Sequence, residues 1–263
     1  MVPLTASEQR AIAEIPNVDQ KLLDNILRAT RERDHGFVAV VASPVPMLVG
    51  FDVEIAELIA RQLGRTPQFL QVQFASLDQS ARRGDFDIGL SGIEDIPARR
   101  QTLAASIPYY EFRELITVRA ADRDRYRTLE DLRGRRVATL GGTLAYEILL
   151  EAERTLRLTA VSYDDDVHPY EDLVNGRVDA VLLDNVIAER SLRRMPGLAV
   201  QPDAVAVGHY VGILHPGQTE LRDRVDAILR AAMADGRLEA ILRRWNVSID
   251  RNEALMAADR LKS

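Results

Sequence analysis

The chain has 263 residues and no cysteine, which excludes disulfides, thiolate metal sites and a cysteine nucleophile. Its net charge is −6, and arginines and lysines are scattered among acidic residues rather than gathered in a stripe, which argues against nucleic acid as a partner. No apolar run is long enough to span a bilayer, and the opening residues hold no apolar signal-peptide core; the protein is therefore cytoplasmic, or its targeting segment is missing from this chain.

Residues 18–33 place Leu22, Leu23, Ile26, Leu27 and Ala29 at helical spacing and predict an amphipathic helix in an N-terminal extension, residues 1–36. Residues 37–43 are apolar and β-branched, a buried strand ended by Pro44 and Pro46. Residues 51–63 predict a helix with Phe51, Ile55, Leu58, Ile59 and Leu63 on one face and Gly64 after it. A strand over 67–74 and a short helix from Ser76 to Gly84 follow. Phe86, Ile88 and Leu90 then alternate along a buried strand, Ser91 and Gly92 break it, and Asp95 and Pro97 suit the first turn of a helix that carries Arg99. A strand over 115–118 follows Pro108-Tyr109-Tyr110. The alternation predicts a parallel, doubly wound sheet.

A second unit opens near Thr128. It has strands over 136–140, 158–163 and 178–183, a helix from Thr143 to about Arg154, one from Pro169 to Gly176, and another from Asp184. A short strand is expected at 198–200. The pattern of a capping glycine, an apolar residue, Asp and an apolar strand occurs twice, at Gly84–Leu90 and Gly176–Leu182, which predicts two similar α/β lobes. The apolar run 204–214 and helices over 218–234 and 237–245 complete the first lobe. The expected division is residues 37–118 with 207–263 in lobe 1 and 119–206 in lobe 2, joined by crossovers near 118–122 and 202–207 that make a hinge. His168 beside Asp164-Asp165-Asp166 reads as a solvated loop, since consecutive aspartates point in different directions; no metal and no cofactor is expected.

Four segments, Leu48–Glu54, Gly84–Arg99 with Pro108-Tyr109-Tyr110, Gly134–Thr143 and Gly176–Asn185, together with Asp235-Gly236 and Trp245, resemble the type II periplasmic solute-binding proteins of polar amino acid ABC transporters. The resemblance implies a two-lobed α/β fold with a hinged cleft. It also implies an amino acid-like ligand, a membrane permease as partner, a monomer, and a periplasmic or extracytoplasmic place of action. Arg99 then grips the ligand carboxylate with a planar fork, helped by backbone near Gly92 and by the Gly142-Thr143 turn, and Asp184 receives the ammonium. Two departures stand out. The loop Ser43–Met47 is short and lacks an aromatic residue, and Glu94 occupies a position where the family has threonine. A carboxylate there repels the ligand's own or pairs with Arg99. The open alternatives are a wider pocket for a larger or cationic ligand, a sensing or interaction domain with a degenerate pocket, and a dehydratase-like enzyme with Glu94 as its acid or base.

Overall fold

The computed structural model describes residues 36–40 and 50–247. The helix expected over 18–33 and the loop 43–47 lie outside the described residues. In chain order the elements are β1 (Gly36–Val40), α1 (Phe51–Gln62), β2 (Thr66–Leu70), α2 (Leu77–Arg83), β3 (Ile88–Gly89), α3 (Pro97–Thr102), β4 (Ala104–Ala105) and β5 (Tyr110–Arg119). Then come β6 (Arg136–Leu140), α4 (Leu144–Leu156), β7 (Thr159–Tyr163), α5 (His168–Val174), β8 (Ala180–Asp184) and α6 (Asn185–Arg194). The last are β9 (Leu198–Tyr210), β10 (Ile213–Leu214), α7 (Thr219–Ala234) and α8 (Arg237–Arg244).

The described strands form two sheets, in the orders β2-β1-β3-β10-β4 and β7-β6-β8-β5-β9. Each has a parallel heart, β2-β1-β3 and β7-β6-β8, as the alternation of strands and helices predicts. Neither is wholly parallel. β10 runs antiparallel to β3 and β4, and β5 runs antiparallel to β8 and β9. The antiparallel members lie next to the passages where the chain leaves one sheet for the other. The repeated glycine pattern falls at equivalent corners, α2 to β3 and α5 to β8. Gly84 and Gly176 both hold φ at 72°, a left-handed conformation that costs a residue with a Cβ but not glycine.

The passages differ from those expected. Sheet pairing places residues 110–119 and 198–210 in the second sheet, so the chain crosses at 106–109 and returns at 211–212 rather than at 118–122 and 202–207. The short strand at 198–200 is the start of a strand running unbroken to Tyr210. Pro202 and Asp203 look like a loop, yet β9 is an edge strand. A proline can sit there without removing a needed ladder bond, and the pairing with β5 slips in register opposite it.

One core cluster joins α1, α7 and α8 to the first sheet, which agrees with the C-terminal helices completing that unit. Phe86 departs from the expected alternation: it packs with Ile93 and Val211, while Ile88 and Leu90 pack with the cluster under α1. It precedes the two-residue β3, so period-two alternation does not reach it. Tyr109, Tyr110, Phe112 and Tyr210 fill the crossing, with Phe112 and Tyr210 stacked at 4.7 Å.

Candidate functional site

Three short segments meet where the chain crosses. The Val211 amide donates to Ile93 O and the Asp95 amide to His209 O, both at 2.8 Å, so Glu94 bridges Tyr210 like one more residue of strand. Ser106 ties the other side: its amide donates to Gly212 O, and its hydroxyl accepts the Gly212 amide. Glu94 is therefore held by backbone at the junction of the two sheets.

From there its side chain reaches the second unit. Oε2 of Glu94 accepts the amide of Leu144 at 2.7 Å, the first residue of α4. That amide is one of the unpaired donors of a helix start, where the helix dipole also favours a negative charge. Glu94 is only 4% exposed. Burial raises its pKa to about 8, against the opposing pull of the Leu144 amide and of Arg99.

Each of the other expected ligand residues already has a protein partner. Arg99 is buried, and its guanidinium is taken up by protein acceptors. Nε donates to both oxygens of Asp78 at 2.9 and 3.1 Å, Nη1 to Glu94 O at 2.8 Å, and Nη2 to Gly142 O at 3.5 Å. The expected side-chain pairing of Glu94 with Arg99 gives way to this arrangement, in which Arg99 holds the Glu94 backbone instead. Thr143 caps α4: its hydroxyl accepts the Tyr146 amide and donates to Leu140 O at 2.7 Å. The Gly92 amide donates to Asp52 at 2.8 Å. Gly92 has φ 59°, a conformation that favours glycine, and a Cβ there would crowd the Tyr210 ring at 3.3 Å. Asp184 caps α6 by accepting the Ile187 amide at 2.9 Å, and Tyr210 supplies it a hydroxyl. Burial nevertheless raises its pKa.

Two further residues were not singled out in the sequence. Asp52, buried on α1, accepts Gly92 and the Tyr109 hydroxyl; burial lifts its pKa to about 6. An acid inside the apolar face of a predicted helix is the signal that marks it. Glu114 lies in β5 directly opposite Asp184 in β8. It is 1% exposed, and neither carboxylate oxygen has a hydrogen-bond partner. The Ala145 amide is near enough to temper the burial-driven rise of its pKa but lies outside bonding geometry. The 115–118 strand expected from sequence stops just short of Glu114, because a charged residue does not read as strand interior.

His168 pairs with Asp165, and the same aspartate accepts the Val167 and His168 amides at the start of α5.

Residues 41–248 match the model of the bacterial extracellular solute-binding proteins, family 3. The chain belongs to this family. It is 29% identical to ABC transporter arginine-binding protein 1 of Escherichia coli (strain K12) over 203 residues, 75% of this chain and 82% of that protein. It is 27% identical over 207 residues to the histidine-binding periplasmic protein of the same organism, covering 75% of this chain and 79% of that one. Its fold matches the arginine-bound form of truncated ArgBP from T. maritima with a TM-score of 0.68 at 26% identity, over 79% of this chain and 98% of the other. Membership agrees with the two-lobed solute-binding fold that the four segments implied.

Proposed function

We propose that this protein is the solute-capturing component of an ABC importer. It holds an amino acid or related small polar solute carrying positive charge in the cleft between its two sheets. It presents that solute to a membrane permease from outside the cytoplasm, as a monomer and without catalysing a reaction. The observation that carries this reading is that Glu94, Glu114 and Asp184 are all buried at the junction of the two units and act on one another electrostatically. Buried carboxylates favour a cation, since an unpaired buried charge is costly. Relatives named for arginine and histidine binding support the same direction. Thermal unfolding with each common amino acid and with basic amines tests it, because a ligand that binds only the folded state raises the melting temperature. Cationic compounds are expected to raise it by several degrees. Stabilisation by acidic amino acids alone, or by none of the compounds, would sink the reading.

A further inference from the structure

Taking the cleft as a solute site, as proposed above, its polar groups specify the ligand's charge pattern more narrowly. A ligand carboxylate needs donors, and four of the donors gathered here are engaged. The Leu144 amide is taken by Glu94, the Gly92 amide by Asp52, the Thr143 hydroxyl by Leu140 O, and the Arg99 fork by Asp78, Glu94 O and Gly142 O. Glu94 thus places a carboxylate of the protein's own at the α4 N-terminus, the natural seat for an anion. A second carboxylate brought to that seat would meet Glu94 at close range.

The acidic groups show the opposite imbalance. Glu114 and Asp184 stand in register on neighbouring antiparallel strands, an arrangement in which like charges repel. The Tyr210 hydroxyl at Asp184 also feels the charges of Glu94 and Glu114. Arg99 is matched by Asp78. Among the described residues none of the three has an ion-pair partner, and both Glu114 oxygens are without a hydrogen bond. A buried, unpartnered carboxylate in a binding cleft is completed by a donor that arrives with the ligand.

We propose that the preferred ligand is a small aliphatic dication with no carboxylate, of the diamine or guanidinoalkylamine class, with Glu94 standing in for the carboxylate that an amino acid would bring. Asp184 and Glu114 receive one nitrogen group and Glu94 helps to balance the charge of the whole.

Isothermal titration of the full chain with two matched pairs, agmatine against L-arginine and cadaverine against L-lysine, isolates the carboxylate, since each pair differs in that group alone. Each amine is expected to bind at least tenfold more tightly than its parent amino acid. Glu94→Thr removes the internal carboxylate and releases the Leu144 amide, and is expected to reverse the preference. Glu94→Gln keeps the side chain's length and an acceptor for that amide, and is expected to weaken the amines without gaining the amino acids; it serves should Glu94→Thr not fold. Equal or tighter binding of the parent amino acids to the unaltered protein overturns this inference and leaves the cationic-solute reading standing. Binding of none of the four by the folded protein overturns both.

Discussion

Tyr109 donates its hydroxyl to Asp52 at 2.7 Å across 57 positions of sequence, and the other oxygen of the same carboxylate holds the Gly92 amide. One buried acid of α1 thereby fixes both the passage between the sheets and the loop before Glu94. Removing it leaves two buried donors unsatisfied. Asp52→Ala is expected to lose about 2–6 kcal/mol in urea unfolding, at roughly 1–3 per orphaned group. Asp52→Asn retains one acceptor and should lose less. A loss below half a kilocalorie for the alanine variant would show that the two donors find other partners.

Acid is expected to stabilise the ligand-free protein. Glu94 rises from 4.5 to about 8 on folding and Asp52 from 3.8 to about 6, and Glu114 and Asp184 move in the same direction, all through burial. Between those values the folded state binds more protons than the unfolded one, so stability falls as pH rises from about 4 to about 8. Glu54, Asp165 and Asp172 have lowered pKa values and act below that window, where their contribution is lost as pH falls. The melting temperature should therefore peak near pH 4 and drop by about 5–10 °C by pH 8. Glu94→Gln should flatten the upper part of the curve. A profile that rises from pH 5 to 8 would contradict the burial of these groups.

Glu114 offers a separation of stability from binding. Glu114→Gln removes a buried carboxyl group whose ionisation burial opposes and is expected to stabilise the ligand-free protein by roughly 1–3 kcal/mol. The same change should weaken cation binding tenfold or more, read by titration calorimetry. A variant that is both less stable and equally tight in binding would mean that Glu114 is structural.

Arg99 is expected to behave first as a structural residue. It joins Asp78 of α2 to the backbone at Glu94. Asp78 keeps 31% side-chain exposure, so breaking the pair should cost less than a fully buried one, about 2–3 kcal/mol for Arg99→Ala. Arg99→Lys supplies a point charge without the fork and should recover only part of this. Chemical denaturation distinguishes the two.

Gly208 lies opposite Phe112 in the β5–β9 ladder, and a Cβ there would come within 2.3 Å of the ring. Gly208→Ala is expected to destabilise by about 1–3 kcal/mol through overpacking. Pairing it with Phe112→Leu should restore part of the loss, and an additive double variant would place the strain elsewhere.

Much of the fold was legible because its signals are local. The helix at Phe51, the strand Arg136–Leu140 and the glycine corners at Gly84 and Gly176 follow from periodicity and capping alone. The crossing points were not, because Pro202 imitates a loop and only its position at a sheet edge makes it tolerable in a strand. For the site, motif position brought Glu94, Arg99, Thr143 and Asp184 to the same region. What each one bonds depends on partners distant in sequence: Asp78 for Arg99, Leu144 for Glu94, Glu114 facing Asp184. No local pattern encodes those pairings. The departure at Glu94 was visible, but its consequence depended on which amide its carboxylate would reach.

Ile93 to Asp95 pair with the strand that carries the chain from one sheet to the other, and Glu94 is the middle residue of that pairing. The group that touches the opposite unit is thus built into the passage between the two sheets. If the units turn about this passage, substitutions at Glu94 are expected to alter the lifetime of the closed form together with selectivity.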